Sequence, residues 1–186
     1  MRKLIAKILL LVMCVSFVMA FSGCDKEEPV TGVGTSDAPY MEYLGDYEYS
    51  ATPIAMVYEE VEGEDGFFGI QYRKVEDLGG LSTQGDIAIC LYFYSSFNTS
   101  AASLTAGVED LAQTLTGRVL FVAIDVSAHE DIGEAYNVYQ CPEFILINDA
   151  ARISTFDSSS HDMWTINDVA SWLSDNGFAP DYSLLD

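Results

Sequence analysis

The chain has 186 residues, of which 29 are aspartate or glutamate and only eight are lysine or arginine, so its formal net charge is −21. Such a chain repels the phosphate backbone of nucleic acids, and we expect no nucleic-acid partner. The excess of acidic residues indicates solubility more than recognition. The length fits one ordinary domain with short additional segments.

Residues 1–23 have the pattern of a secretory signal peptide. Basic residues near the start are followed by a mostly apolar run, Ile8 to Ala20, which is too short to span a bilayer comfortably. The sequence then reads Phe21-Ser22-Gly23-Cys24, which resembles the lipobox of bacterial lipoproteins, although Phe21 replaces the usual leucine. The resemblance implies cleavage before Cys24, lipid attachment to its sulfur, and localisation at the extracytoplasmic face of the cell membrane. Ordinary secretion with an unmodified Cys24 is the alternative.

Two segments precede the main domain. Residues 24–39 begin with the cysteine and continue with charged, glycine and proline residues, which predicts a flexible tether. Residues 40–85 contain two strand-like runs, PIAMVYEEV (53–61) and FFGIQYRKV (67–75), separated by the acidic turn EGEDG. We predict that this segment is an N-terminal β-hairpin extension.

Residues 86–186 alternate between strand and helix patterns. Apolar and β-branched runs predict strands at 87–94, 117–126, 143–148 and 152–156. A short helix is predicted at 129–137, and two longer helices are indicated by apolar residues on one face: Leu104, Val108, Leu111, Ala112 and Leu115, then Ile166, Val169, Ala170 and Leu173. This order requires a parallel crossover between the first two strands and an antiparallel hairpin between the last two.

The order of these elements resembles that of the thioredoxin superfamily. The most specific part is VAIDVSAHEDIGEAYNVYQCPEFILIND (122–149), where Asp125 ends a strand and Pro142 precedes an apolar strand at the family's spacing. The resemblance extends over about Asp86 to Phe178. It implies an α/β, thioredoxin-like fold, with a central mixed sheet flanked by helices and a cis-proline at Pro142.

The same resemblance places the family's Trp-Cys-x-x-Cys motif on Phe97-Asn98-Thr99-Ser100-Ala101. Dithiol exchange needs an attacking thiolate and a resolving thiol, and neither Asn98 nor Ala101 can supply one. Asn98, Thr99 and Ser100 instead have short side chains that suit the capping of a helix start. Alternatively, they form a polar patch at the positive helix end that receives a carboxylate or a partner's backbone.

Cys141 directly precedes Pro142 and, by the resemblance, faces Asn98. Family members bind substrate backbone with the residue in this place. One interpretation is a small apolar side chain in a slot usually held by isoleucine, threonine or valine. The other is a single nucleophile whose pKa is lowered by the nearby helix start. Cys90 lies within a core strand, and we expect it to be inert.

We therefore predict a membrane-tethered, redox-inactive thioredoxin-like module that binds a peptide or protein partner in the cell envelope. The predicted binding residues are Asn98, Thr99, Ser100, Cys141 and Pro142. One alternative is a one-cysteine thiol oxidoreductase that uses Cys141, and another is a structural subunit of an envelope complex. No cofactor or metal ion is expected, because the two histidines are isolated from each other and from any cysteine pair.

Overall fold

The computed structural model describes residues 37–48 and 53–185. The predicted signal peptide, Cys24 and most of the predicted tether lie outside the described residues. The end of the predicted tether is ordered, because a 3-10 helix spans Pro39–Tyr43 and buries Tyr40. Proline suits this first position, since its fixed φ angle is helical and it has no N–H that would lack a partner.

A seven-stranded mixed sheet forms the centre of the described part of the chain, with the strand order β1-β3-β2-β5-β4-β6-β7. The strands are β1 (Leu44–Gly45), β2 (Ile54–Glu60), β3 (Phe68–Val75), β4 (Ala88–Tyr94), β5 (Val119–Asp125), β6 (Glu143–Asn148) and β7 (Ala151–Asp157). The described residues also form four α-helices: α1 (Leu78–Ser82), α2 (Ala101–Thr114), α3 (Glu130–Tyr136) and α4 (Ile166–Asp175). None of them is long and apolar enough to cross a membrane.

The strand pairing confirms the predicted α/β fold class. Strands β4 and β5 are parallel and are joined through α2, whereas β6 runs antiparallel to β4 and β7 runs antiparallel to β6. The predicted N-terminal hairpin is also present, since β2 and β3 pair antiparallel along their whole length. Strand β2 additionally pairs with β5, from Ile54 opposite Ala123 to Met56 opposite Phe121. The hairpin is therefore a direct continuation of the central sheet.

Apolar residues cover both faces of the sheet. On one face, Cys90 and Tyr92 of β4 pack in a cluster with residues of α2 and α4; on the other, Ile89, Leu91 and Phe93 pack in a second cluster with α1 and α3. Each large apolar side chain that is fully buried contributes about 1.5–3 kcal/mol. This three-layer arrangement fixes the positions of the loops at both ends of the sheet.

Several short elements were not expected from the sequence, among them α1 and β1. Helix α1 begins after Asp77, whose carboxylate accepts a hydrogen bond from the backbone N–H of Gly80 at 2.9 Å. A Cβ atom at Gly80 would lie 2.5 Å from Cε1 of Tyr43, so only glycine allows the 3-10 helix to pack this closely. Strand β1 pairs with the end of β3.

Candidate functional site

Three loops and the end of β5 meet at one end of the sheet. The carboxyl ends of β4, β5 and β7 lie there beside the amino end of β6, as the parallel and antiparallel pairings require. The loops are residues 95–100 after β4, residues 137–142 before β6, and residues 158–165 after β7. This end of the sheet therefore brings together loops that are far apart in the sequence.

The loop after β4 is held by its own side chains. Oδ1 of Asn98 accepts hydrogen bonds from the backbone N–H of Ser100 at 3.1 Å and from the Ser100 hydroxyl at 2.7 Å. Ser100 is the N-cap residue of α2, but its side chain makes no capping hydrogen bond, contrary to our expectation. Its backbone is already helical, with φ −88° and ψ −4°, whereas a capping side chain requires an extended backbone.

Asp125 connects this loop to the segment after β5. Its carboxylate accepts hydrogen bonds from the backbone N–H groups of Ser96, at 3.2 Å, and Ser127, at 2.9 Å. Burial alone would raise the pKa of Asp125, but the hydrogen bonds from Ser96 and Ser127 together hold it below the usual value. The hydroxyls of Ser95 and Ser127 are also hydrogen-bonded, at 2.7 Å. Asp125 is therefore a charged anchor for both segments.

The third component is the loop that contains Cys141 and Pro142. The peptide bond between them is cis, and the Ser158 hydroxyl donates a hydrogen bond to the Pro142 carbonyl oxygen at 2.5 Å. Cys141 is half-buried; burial, followed by the neighbouring carboxylates of Glu143 and Asp125, raises its pKa to about 11. This direction is opposite to the lowering that a reactive thiol requires.

Cys90 and Cys141 are the cysteines of the described residues, and both are free thiols. Cys90 is fully buried in β4, and burial raises the pKa of its thiol well above the ordinary value. A thiol in this state has almost no thiolate at neutral pH and no access to a partner molecule. It lies in the sheet interior, away from the loop after β4.

A cleft of about 760 Å³ opens beside the start of α2, and we call it the α2 cleft. Four of the five predicted binding residues line it, namely Asn98, Ser100, Cys141 and Pro142, whereas Thr99 does not. Its other lining residues include Tyr94, Asp110 and Trp164. Four of the five predicted residues are thus assembled around one concave surface.

The aromatic side of the α2 cleft is firmly packed. Trp164 contacts Phe144 and Phe156 edge to face, with ring centroids 6.3 Å and 5.6 Å away. Tyr94 stacks on Tyr92 at a centroid distance of 5.4 Å. Edge-to-face and offset-stacked pairs are the favourable arrangements of aromatic rings. The rings of Trp164 and Tyr94 are therefore held in position by their neighbours without a bound ligand.

A second cleft, of about 490 Å³, lies on the other side of Cys141, and we call it the α3 cleft. Its lining includes Phe97, Glu130, Glu134 and Tyr139. Ser95 and Cys141 line both clefts, so the two clefts adjoin at these residues. We call these two clefts together the groove.

The most exposed large apolar side chains of the described residues lie in the loops around the groove. Met163 is 92% exposed, Phe97 86% and Tyr139 79%, whereas Phe67 at the hairpin turn is 59% exposed. Aromatic and methionine side chains are typical of surfaces that bind other proteins. We did not assign these residues or Trp164 to the site from the sequence, because the pattern of the chain does not show which loops adjoin.

Tyr92 lies immediately behind the wall of the α2 cleft. Its side chain is fully buried, and its hydroxyl forms no hydrogen bond of ordinary geometry within the described part of the chain. The pKa of Tyr92 is raised to about 12, chiefly by burial, although the nearby Thr105 hydroxyl lowers it. The Thr105 hydroxyl donates to the carbonyl oxygen of Ala101 at 2.9 Å, so towards Tyr92 it could act only as an acceptor.

Comparison with known proteins assigns the fold. Residues 81–170 match the thioredoxin family model. This part of the chain is a thioredoxin-like domain. No curated protein sequence matches the chain. Within residues 37–48 and 53–185, no group of three histidine, cysteine, aspartate or glutamate side chains is arranged to hold a metal ion.

Several solved thioredoxin structures are similar to the chain at low sequence identity. The germline-specific thioredoxin Deadhead of Drosophila melanogaster is 21% identical, with a TM-score of 0.43 over 48% of this chain and 81% of its own. Mitochondrial thioredoxin 3 of Saccharomyces cerevisiae is 22% identical, with a TM-score of 0.44 over 52% and 84%. Fasciola hepatica thioredoxin is 19% identical, with a TM-score of 0.43 over 50% and 83%.

Proposed function

We propose that the protein is a membrane-tethered binding module that holds an extended segment of a partner protein in the groove, without thiol redox chemistry. The thioredoxin-like domain supplies the groove, and a lipid on Cys24 would hold the domain at the extracytoplasmic face of the membrane. Two acyl chains are sufficient for stable anchoring, whereas one gives only marginal binding.

The observation that carries the proposal is the position of the Cys141 backbone. It lies where the two clefts meet, and its N–H and C=O groups make no hydrogen bond with other described residues. An extended peptide that crosses the groove would pair with these groups, as a strand added to a sheet edge does. Backbone pairing of this kind would supply affinity, and the side pockets would supply specificity.

The chemistry of the cysteines favours this function over a one-cysteine oxidoreductase. With a pKa raised to about 11, Cys141 is almost entirely protonated at neutral pH and is a poor nucleophile. Cys90 is buried, and no other cysteine lies among the described residues to resolve a mixed disulfide. Asn98, in the loop before α2, and Ala101, the first residue of α2, stand where, by the resemblance, thioredoxins have their two thiols.

Peptide selection tests the binding function. The full-length protein, purified in detergent and immobilised, would be exposed to a phage-displayed library of random peptides of about 12 residues. We expect enriched peptides whose binding falls at least about tenfold when Phe97 and Tyr139 are both replaced by serine, because a loss of about 1.4 kcal/mol has that effect. Phe67→Ser is the matched control, since it removes an exposed aromatic ring at the other end of the sheet.

Two results would overturn the proposed binding. One is that no peptide is enriched over a surface without protein. The other is enrichment that is equal for the wild type and the Phe97→Ser, Tyr139→Ser variant, because the peptides would then bind outside the groove.

Metabolic labelling with palmitate tests the anchor separately. We expect the chain to be labelled in bacterial cells and Cys24→Ser to abolish the label. Cys14→Ser is the control and should keep it. A Cys24→Ser variant that is labelled like the wild type would show that the anchor is wrong while leaving the groove intact.

A further inference from the structure

Acidic side chains lie along the groove on both sides of Cys141. Asp110 lines the α2 cleft, and Glu130 and Glu134 line the α3 cleft. Neither cleft has a lysine or arginine in its lining. The groove therefore presents negative charge next to its aromatic walls.

The few cations of the described residues have partners elsewhere. Arg73 forms ion pairs with Glu59 and Asp46 in the hairpin half of the sheet, and Lys74 pairs with Glu48 there. Arg118 donates a hydrogen bond to the carbonyl oxygen of Ala179, and Arg152 donates one to the carbonyl oxygen of Tyr136. Within the described residues, no ion pair joins any of these four side chains to Asp110, Glu130 or Glu134.

A second pair of carboxylates, Glu143 and Asp157, lies beside the loop that contains Cys141 and Pro142. Burial raises the pKa of Glu143, which directly follows Pro142, and the neighbouring Asp157 carboxylate raises it further, although Arg152 opposes this. Glu143 and Asp157 are directly opposite each other on β6 and β7. Like charges in this arrangement repel, and an approaching cation would relieve the repulsion.

Extending the proposed function, we propose that the segment bound in the groove is positively charged, with lysine or arginine residues flanking aromatic or aliphatic ones. The apolar residues contact Phe97, Tyr139 and Trp164, and the basic residues lie against Asp110 in one cleft and against Glu130 and Glu134 in the other. Charge complementarity of this kind steers association and selects among partners. The inference depends on the proposed binding function.

The test uses three displayed peptide libraries that share random central residues and differ in fixed flanks of lysine, glutamine or glutamate. With the full-length protein in detergent, we expect the lysine-flanked library to be enriched at least about tenfold over the glutamate-flanked one, with glutamine between them. The preference should fall in high salt, because exposed charges are screened.

Variants locate the effect, which is necessary because the whole chain is acidic. Glu130→Gln with Glu134→Gln should reduce the preference for lysine flanks by at least about threefold, as the loss of two exposed charge contacts implies. The matched control is Glu62→Gln with Glu64→Gln, which removes the same charge from the exposed hairpin turn and should leave the preference unchanged. Asp110→Asn probes the α2 cleft independently, and circular dichroism confirms that each variant is folded.

Each outcome has a distinct meaning. Equal enrichment of all three libraries, still dependent on Phe97 and Tyr139, would overturn the charge preference and leave the proposed function standing. No enrichment in any library would overturn both. A lysine preference that falls equally in the hairpin control would reflect net charge alone and would also overturn the inference.

Discussion

Buried polar side chains on the hairpin strand β2 and on the central strand β4 differ in whether they have hydrogen-bond partners. On β2, Glu59 is 6% exposed; its Oε1 accepts a hydrogen bond from Nε of Arg73 at 2.8 Å and forms an ion pair with Nη2 at 2.7 Å. On β4, Tyr92 is fully buried, but its hydroxyl has no hydrogen-bond partner within the described residues. The first group is satisfied inside an extension of the sheet, and the second is unsatisfied directly behind the groove.

This difference indicates where the protein gives up stability. A buried polar group without a partner costs about 1–3 kcal/mol, whereas a satisfied one is close to neutral or favourable. Departures of this kind are expected at functional sites more than in structural regions. Asn148 Oδ1, at the opposite end of β6, is also buried without a partner in the described residues, so a missing bond alone does not mark the site. We assign Tyr92 to the functional end of the sheet because it stacks on Tyr94, which lines the α2 cleft.

The largest effect is expected from breaking the satisfied pair. Arg73→Met should lower the free energy of unfolding by about 2 kcal/mol, because it leaves the buried carboxylate of Glu59 without its cation. This value lies between the losses typical of exposed ion pairs and of fully buried ion pairs. Chemical denaturation of the full-length protein in detergent would measure it. Lys74→Met is the control, since its pair with Glu48 is exposed, and it should change stability by at most about 0.5 kcal/mol. Equal losses for the two variants would contradict the importance of the Glu59 pair.

A smaller effect of opposite sign is expected at the unsatisfied group. Tyr92→Phe should raise the free energy of unfolding by about 1 kcal/mol, because it removes a desolvated hydroxyl while keeping the ring stacked on Phe144. The melting temperature should rise accordingly. For comparison, Tyr43→Phe removes a hydroxyl that accepts a hydrogen bond from Gln84 at 3.0 Å, and it should lower stability slightly. A loss of stability in Tyr92→Phe would mean that its hydroxyl is bonded after all.

Most of the fold could be predicted from the sequence because its elements have regular patterns. The continuous apolar run of β4 and the one-sided apolar stripe of α2 are typical of a buried strand and an amphipathic helix. Helix α1 was missed because its two adjacent glycines disfavour a helix, and the close contact with Tyr43 that requires Gly80 is visible only in the structure. The capping residue Asp77 was the one local signal that could have indicated it.

The candidate site was only partly predictable. The resemblance to thioredoxins indicated that Asn98, Ser100, Cys141 and Pro142 meet, and the structure places these four around the α2 cleft. The exposed side chains beside them, such as Tyr139, follow no periodicity, because a loop residue is oriented by the tertiary packing of its neighbours. The direction of the pKa shift at Cys141 likewise depends on burial and on Glu143 and Asp125, which a linear sequence does not reveal.

The measurement that most directly tests binding without thiol chemistry is the pH dependence of iodoacetamide alkylation at Cys141. Mass spectrometry would follow each cysteine of the folded, full-length protein, with buried Cys90 as the unreactive internal control. Since burial and nearby carboxylates raise the pKa of Cys141 to about 11, we predict a rate that is low at neutral pH and still rising at about pH 9. A rate that reaches its plateau below about pH 7 would contradict the account, because Cys141 would then be an activated thiolate.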